Sequence, residues 1–255
     1  AQYPSLIGGN IGLPILAQSP LVEDGIFVLE LSSYQLDLTD SLDCEIAILT
    51  NITPDHLDRY QDFAAYAAAK ERLFAMQSQD NLAIIAGDDE PSRAIAARIE
   101  SPSRLRLVSR TDIEPSPDWP SLQGSHNAQN IAVAVKAVKA LGLNNRVIEQ
   151  GLASFIGLPH RMETVANING VTYVNDSKAT NAEAAAPALA AYKSVHWIVG
   201  GISKTPDLSP CLAQIKNVKA AYLIGEAAAD FAPILSPLVK VMYSETIDQA
   251  VEDAR

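Results

Sequence analysis

Short apolar runs of strand length, at residues 26–31, 46–49, 82–86 and 105–108, are in part separated by segments whose apolar residues return every three or four positions. The helical spacing covers 63–76, 91–99 and 125–141, the last with Ile131, Val135 and Val138 on one face and Gly142 as its stop. This alternation predicts an α/β domain built on a largely parallel sheet. A second alternating block follows Gly157-Leu158-Pro159. It opens on a hairpin, residues 164–168 and 171–174 joined by Asn169-Gly170, and continues with strands near Val195, Ala221 and Val239 and helices near Asn181, Leu208 and Ala227. The pattern thus predicts two domains, 1–157 and 158–255. Residues 111–123, with Pro115, Pro117 and Pro120 and little periodicity, read as an irregular excursion within the first.

The 255 residues, 48% hydrophobic and 19% charged, suffice for one large or two ordinary domains with real cores. A balance of 19 basic against 30 acidic residues, formally -11, argues against a nucleic-acid-binding stripe and against docking on anionic lipid. A phosphate-bearing ligand must then be gripped locally. Cys44 and Cys211 lie far apart and form no ligand or disulfide pattern, which suits a reducing cytoplasm and two plain core residues. No apolar stretch reaches the length of a spanning helix, and no secretory leader is expected.

Chemistry-bearing residues gather where strands end. The run NDSKATN, residues 175–181, places Asp176, Lys178 and Thr180 straight after the second hairpin strand, where an acid, a cation and hydroxyls can grip phosphate and ribose; a polar turn also accounts for such a run. Glu30 ends the strand 26–31, at the edge where open α/β sheets form ligand crevices, and its hard oxygens suit magnesium. The plain alternative is a solvated strand-end glutamate. After the next strand, NITPDHLDRY (51–60) brings His56 and several oxygens to the same edge, although magnesium seldom selects imidazole. Lys70, beside Glu71, reads on spacing as an exposed helix lysine.

Asn127 and Asn130 share a face at a helix start, and an Asn amide matches the donor and acceptor of an adenine edge; equally, Ser125 or His126 could make this merely a capped helix start. Arg161 offers a planar fork suited to phosphate. The glycines of GGNIG (8–12) would let backbone N–H groups approach an anion, but the run matches neither GxGxxG nor GxxxxGK[ST] and reads alone as a tight turn. GGISK (200–204) follows another apolar strand and sends Lys204 from its end.

In chain order, GGNIG, ELSSYQL (30–36), NITPDHLDRY, AAAK (67–70), GSHNAQN (124–130), GLPHR (157–161), NDSKATN and GGISK resemble the Mur ligases, and NDSKATN makes the likeness strongest to the branch that adds D-glutamate. The resemblance runs from about Gly8 to Lys204. It implies a central ATPase-like parallel-sheet domain followed by part of a Rossmann-like C-terminal domain, and ATP-driven amide formation in peptidoglycan precursor synthesis in the bacterial cytoplasm. The carboxylate of UDP-N-acetylmuramoyl-L-alanine would take the γ-phosphoryl group of ATP, and the amine of D-glutamate would then displace phosphate. A carboxylate oxygen leaves poorly, which is why an acyl phosphate is needed and why metal ions must neutralise the crowded anions.

By the same resemblance, Glu30 holds one Mg2+ (or Mn2+), and His56 with a carbamylated Lys70 positions a second. Asn10 touches the nucleotide-sugar substrate, Asn127 and Asn130 the adenine, and Arg161 and Asp176 the phosphates and ribose of ATP. Lys178, Thr180 and Lys204 attend the acyl phosphate and the incoming D-glutamate. Carbamylation would turn Lys70 from a cation into an oxygen-bearing anion that a divalent ion can use.

The chain also departs from the family. No GxxxxGK[ST] occurs in it, although the family places such a loop shortly before its GGNIG run. An amino-terminal nucleotide-sugar domain and the distal part of the third domain are missing too, so an internal fragment without ligase activity of its own is expected. Its first sheet should then carry a gap that exposes apolar residues and unpaired backbone groups. The competing reading is a non-catalytic nucleotide-binding remnant; Glu30, His56 and Lys70 argue against it, because a pure binder needs no metal-positioning acid or modified lysine. A folylpolyglutamate synthase fits NDSKATN and ELSSYQL poorly, and an oxidoreductase would need a dinucleotide fingerprint. A monomer that binds no nucleic acid and inserts into no membrane is expected.

Overall fold

The computed structural model describes residues 3–55, 59–101, 104–202 and 207–255. The chain divides into two compact units, Ala1–Phe155 and Ile156–Arg255.

In the first unit, β1 (Ser5–Gly9) and β2 (Ile26–Glu30) form a parallel pair, and β3 (Ile46–Leu49), β4 (Leu82–Ala86) and β5 (Leu105–Val108) form a separate parallel sheet in sequence order. Strand β4 explains why its segment is apolar throughout. Ala83 and Ile85 face a core with Tyr66 and Phe74 of α2 (Phe63–Ala75) and Ile95 of α3 (Glu90–Ala96). Ile84 and Ala86 face Ala132 and Val133 of α4 (Ser125–Ala140). A strand covered on both faces has no polar side to present. The helices start on side chains that accept orphan backbone N–H groups: Asp62 takes that of Ala65, and Asp89 that of Ser92.

Two sheets stand where one was expected; the register partners Ile7 and Val28 are 62% and 54% exposed, and Ile48 of β3 is 38% exposed. The excursion at 111–123 is irregular as expected, but it is not a surface loop throughout, since Trp119 and Leu122 are buried against Ile131. Helices α1 (Ser33–Asp37) and α5 (Asn145–Ser154) and strand β1 were not predicted. The first is a single capping-box turn, in which Ser32 and Gln35 satisfy each other's backbone, and so is too short to show a period.

The second unit begins with the hairpin β6 (Glu163–Ile168) and β7 (Val171–Asn175). Asn169 and Gly170 both have positive φ, 54° and 82°, as a tight right-twisted turn requires. Strands β8 (Val195–Gly200), β9 (Val218–Ile224) and β10 (Lys240–Glu245) form a parallel sheet with β9 central, flanked by α6 (Ala182–Ala191), α7 (Ser209–Leu212), α8 (Ala228–Leu235) and α9 (Ile247–Asp253). Leu223, Leu235, Ala221 and Cys211 are fully buried in its core. Burial pushes the Cys211 thiol up to about 12, which makes it a packing residue rather than a nucleophile. Cys44 is half-buried, and both cysteines are free. Among the described residues no helix is long and apolar enough to cross a membrane.

Candidate active site

The first group of candidate residues lies at the carboxyl end of the β1–β2 pair. Gly9 is the register partner of Glu30, and the Asn10 N–H donates to the Glu30 carbonyl at 2.7 Å. Gly9 has φ 101°, and a Cβ there would stand 2.1 Å from the same carbonyl oxygen. The GGNIG run is thus more than a tight turn: its second glycine lets two strand ends close until Asn10 and Glu30 leave them side by side.

Lys70 of α2 is half-buried rather than exposed, because its helix packs that face inward. Its Nζ lies 5.1 Å from the centroid of the Tyr66 ring. Burial holds its ammonium below the ordinary lysine value of 10.5, while the carboxylates of Glu30 and Asp55 pull the other way. Nothing in the sequence pattern singles out Asp55 from the oxygens around it. His56 lies outside the described residues. Among the described residues, no group of three or more His, Cys, Asp or Glu side chains gathers to hold a metal.

A second group forms at the start of α4. Its N-cap is Gly124, φ 94°, a residue with no side chain to cap the helix. Asn127 Nδ2 donates to the Gln123 carbonyl at 2.9 Å and Asn130 Nδ2 approaches Asn127 Oδ1 at 3.5 Å, which puts both amides on one face. Gln129, buried and not predicted, donates to the Thr50 carbonyl at 2.6 Å and ties this helix start to the carboxyl end of β3. An open recess of about 540 Å³ lies beside it, lined by Arg110, Ile113, Gln123, Gly124 and Ala128 among others.

In the second unit the GLPHR and NDSKATN loops are sewn together. Asp176 Oδ1 accepts the Met162 N–H at 2.9 Å, the Lys178 N–H donates to the His160 carbonyl at 3.1 Å, and His160 Nδ1 pairs with Asn175 Nδ2 at 2.8 Å. His160 and Met162 hold positive φ, 65° and 43°, a conformation non-glycine residues adopt at a cost and here fixed by these bonds. Asp176 is half-buried, while Arg161, Lys178 and Thr180 are exposed around it. Gly200 and Gly201, at the end of β8, repeat the arrangement of Gly9: the Gly201 N–H donates to the Ile224 carbonyl at 2.9 Å. Lys204 lies outside the described residues.

Residues 7–113 match the Mur ligase middle domain, and residues 160–255 the Mur ligase, glutamate ligase domain. The chain belongs to the Mur ligase family. The UDP-N-acetylmuramoylalanine–D-glutamate ligase of Sphingopyxis alaskensis is 52% identical over 261 residues, covering 100% of this chain and 60% of that protein. The protein of the same name from Zymomonas mobilis is 51% identical, over 98% of this chain and 57% of its own length. The chain thus spans less than two thirds of the length of the curated Mur ligases it matches. Among solved structures, MurF from Acinetobacter baumannii gives a TM-score of 0.66 at 17% identity, over 98% of this chain and 63% of that one. UDP-N-acetylmuramate-alanine ligase MurC from Thermotoga maritima gives 0.62 at 13% identity, over 96% and 67%. Both likenesses speak for a Mur ligase fold, in line with the α/β architecture expected.

Proposed function

We propose that this Mur ligase chain carries the metal-positioning and ATP-gripping parts of an enzyme that adds D-glutamate to UDP-N-acetylmuramoyl-L-alanine. Residues 1–157 act as its central ATP-binding domain and 158–255 as part of its C-terminal domain. The observation that carries the reading is the emergence of Asn10 beside Glu30 at one strand edge, together with a half-buried Lys70 whose ammonium feels the charges of Glu30 and Asp55. Glu30 holds one Mg2+, and carbamylated Lys70, with His56, positions the other. Bound there, the metal ions neutralise phosphate charge. Asn127 and Asn130 read the adenine edge; Arg161 and Asp176 hold the phosphates and ribose. Lys178, Thr180 and Lys204 orient the activated carboxyl and the amine of D-glutamate. The enzyme works as a monomer in the cytoplasm.

Because no GxxxxGK[ST] occurs in these residues, the purified chain is expected to release no phosphate in response to D-glutamate. D-glutamate-dependent release would show that the chain needs no such loop. The metal reading is tested separately by titrating Mn2+ in the presence of a non-hydrolysable ATP analogue. Glu30→Ala should weaken binding roughly a hundredfold, since a charged ligand is lost outright. Equal binding by both forms would favour a nucleotide-binding remnant.

A further inference from the structure

Glu30 and Lys70 belong to elements that no strand pairing connects. Strand β2 hydrogen-bonds to β1, while β3, whose outgoing segment carries Asp55 and leads to α2, belongs to the other sheet. Sheet register therefore does not set the separation between Glu30 and the Asp55–Lys70 side. What crosses that join is a cluster of side chains. Arg59, in the connection from β3 to α2, lays its guanidinium over Tyr34 of α1, 4.3 Å from the ring centroid, and stands 5.9 Å from that of Tyr60. It reaches Asp37, also on α1, at 3.6 Å, and the Tyr60 hydroxyl donates to the same carboxylate oxygen at 2.7 Å.

The contact then continues toward the site. The Tyr60 and Tyr66 rings lie 5.4 Å apart, and the Lys70 ammonium lies 5.1 Å from the Tyr66 ring. Arg72 ties the far end of α1 to the same helix through the carbonyls of Leu36 and Thr39, at 3.1 and 2.8 Å. A planar guanidinium can stack on a ring and pair with a carboxylate at once, which an ammonium cannot. The Arg59 side chain is 43% exposed, so its ion pair adds little to stability; its three partners fix geometry instead.

We propose that Arg59, stacked on Tyr34 and paired with Asp37, is a positioning residue that holds the segment carrying Glu30 against the Asp55 and Lys70 side and thereby sets affinity for a divalent cation. The inference rests on the reading of Glu30 as a metal-holding residue. Its test is an electron-paramagnetic-resonance titration with Mn2+ and a non-hydrolysable ATP analogue, with thermal melting of the same samples, on wild type, Glu30→Ala, Arg59→Ala and Arg59→Lys. Arg59→Ala should bind Mn2+ about tenfold more weakly while melting within about 2 °C of wild type. Arg59→Lys, which keeps the charge but not the planar fork, should bind as weakly as Arg59→Ala.

Wild-type affinity in Arg59→Ala, alongside lost affinity in Glu30→Ala, would overturn the positioning role and leave the metal reading standing. A fall in melting temperature that tracks the fall in affinity would also overturn it, reducing Arg59 to a structural residue. No Mn2+ binding by wild type, or binding indifferent to Glu30→Ala, would overturn both together.

Discussion

With 13C-labelled bicarbonate at about pH 8, the wild-type chain is expected to show a carbamate carbon resonance that disappears in Lys70→Met. The amine attacks carbon dioxide only when it carries no proton, and it forms the carbamate with release of one proton. Burial favours the neutral amine at Lys70, so the reactive form is better populated there than on a surface lysine. The product would be an anion exposed to the charges of Glu30 and Asp55, a repulsion that a divalent cation would relieve. Mg2+ should therefore strengthen the resonance, and carbon dioxide should tighten Mg2+ binding by the same factor. An unchanged resonance in Lys70→Met, or none in wild type with Mg2+ present, would remove carbamylation from the account. The stability effect has the opposite sign to the functional one. Folded Lys70 holds its proton less tightly than the unfolded residue, so between its lowered value and 10.5 the unfolded chain carries more protons and stability rises with pH. Lys70→Met should abolish that alkaline rise and melt no lower than wild type at neutral pH.

Gly200→Ala is expected to destabilise the second unit by about 3 kcal/mol or more, a fall in melting temperature of roughly 12–24 °C for a unit of this size. A Cβ at Gly200 would stand 1.9 Å from the Ile224 carbonyl oxygen and 2.8 Å from its carbon, at a φ of 146°. That carbonyl belongs to the central strand of the sheet and already accepts the Gly201 N–H, so neither side can yield cheaply. Gly142→Ala is the control. Its φ is 79°, but nothing lies within 4 Å of an added Cβ, so only the backbone term of about 1 kcal/mol applies. Matching melting curves for the two variants would mean that the close approach does not select glycine at position 200.

What could be read from the chain, and what could not, follows from the range of the interactions involved. Strand β4 was legible because burial on both faces leaves a continuous apolar run, and the β6–β7 hairpin because Asn169-Gly170 satisfies a backbone requirement locally. Strand β1 was not, since two of its residues are glycines and its apolar residues are largely exposed. Helix α5 should have been found: Asn144 caps it through the Val147 N–H, and its apolar face is strong. The end-of-strand positions of Glu30 and Asp176 came from pattern alone. The half-burial of Lys70 and the Arg59–Tyr34 stack did not, because the first depends on how α2 packs and the second joins residues 25 apart in the chain.

The glycine-to-carbonyl closure seen at Gly9 and again at Gly200 has a consequence for how such a scaffold can change. Where main-chain atoms alone fix the spacing of two neighbouring strand tips, the side chains mounted there are interchangeable fittings. Their chemistry can be exchanged, Glu30 for a neutral residue or Asn10 for a bulkier one, while the frame keeps its dimensions, so specificity can drift across descendants without the architecture being renegotiated each time.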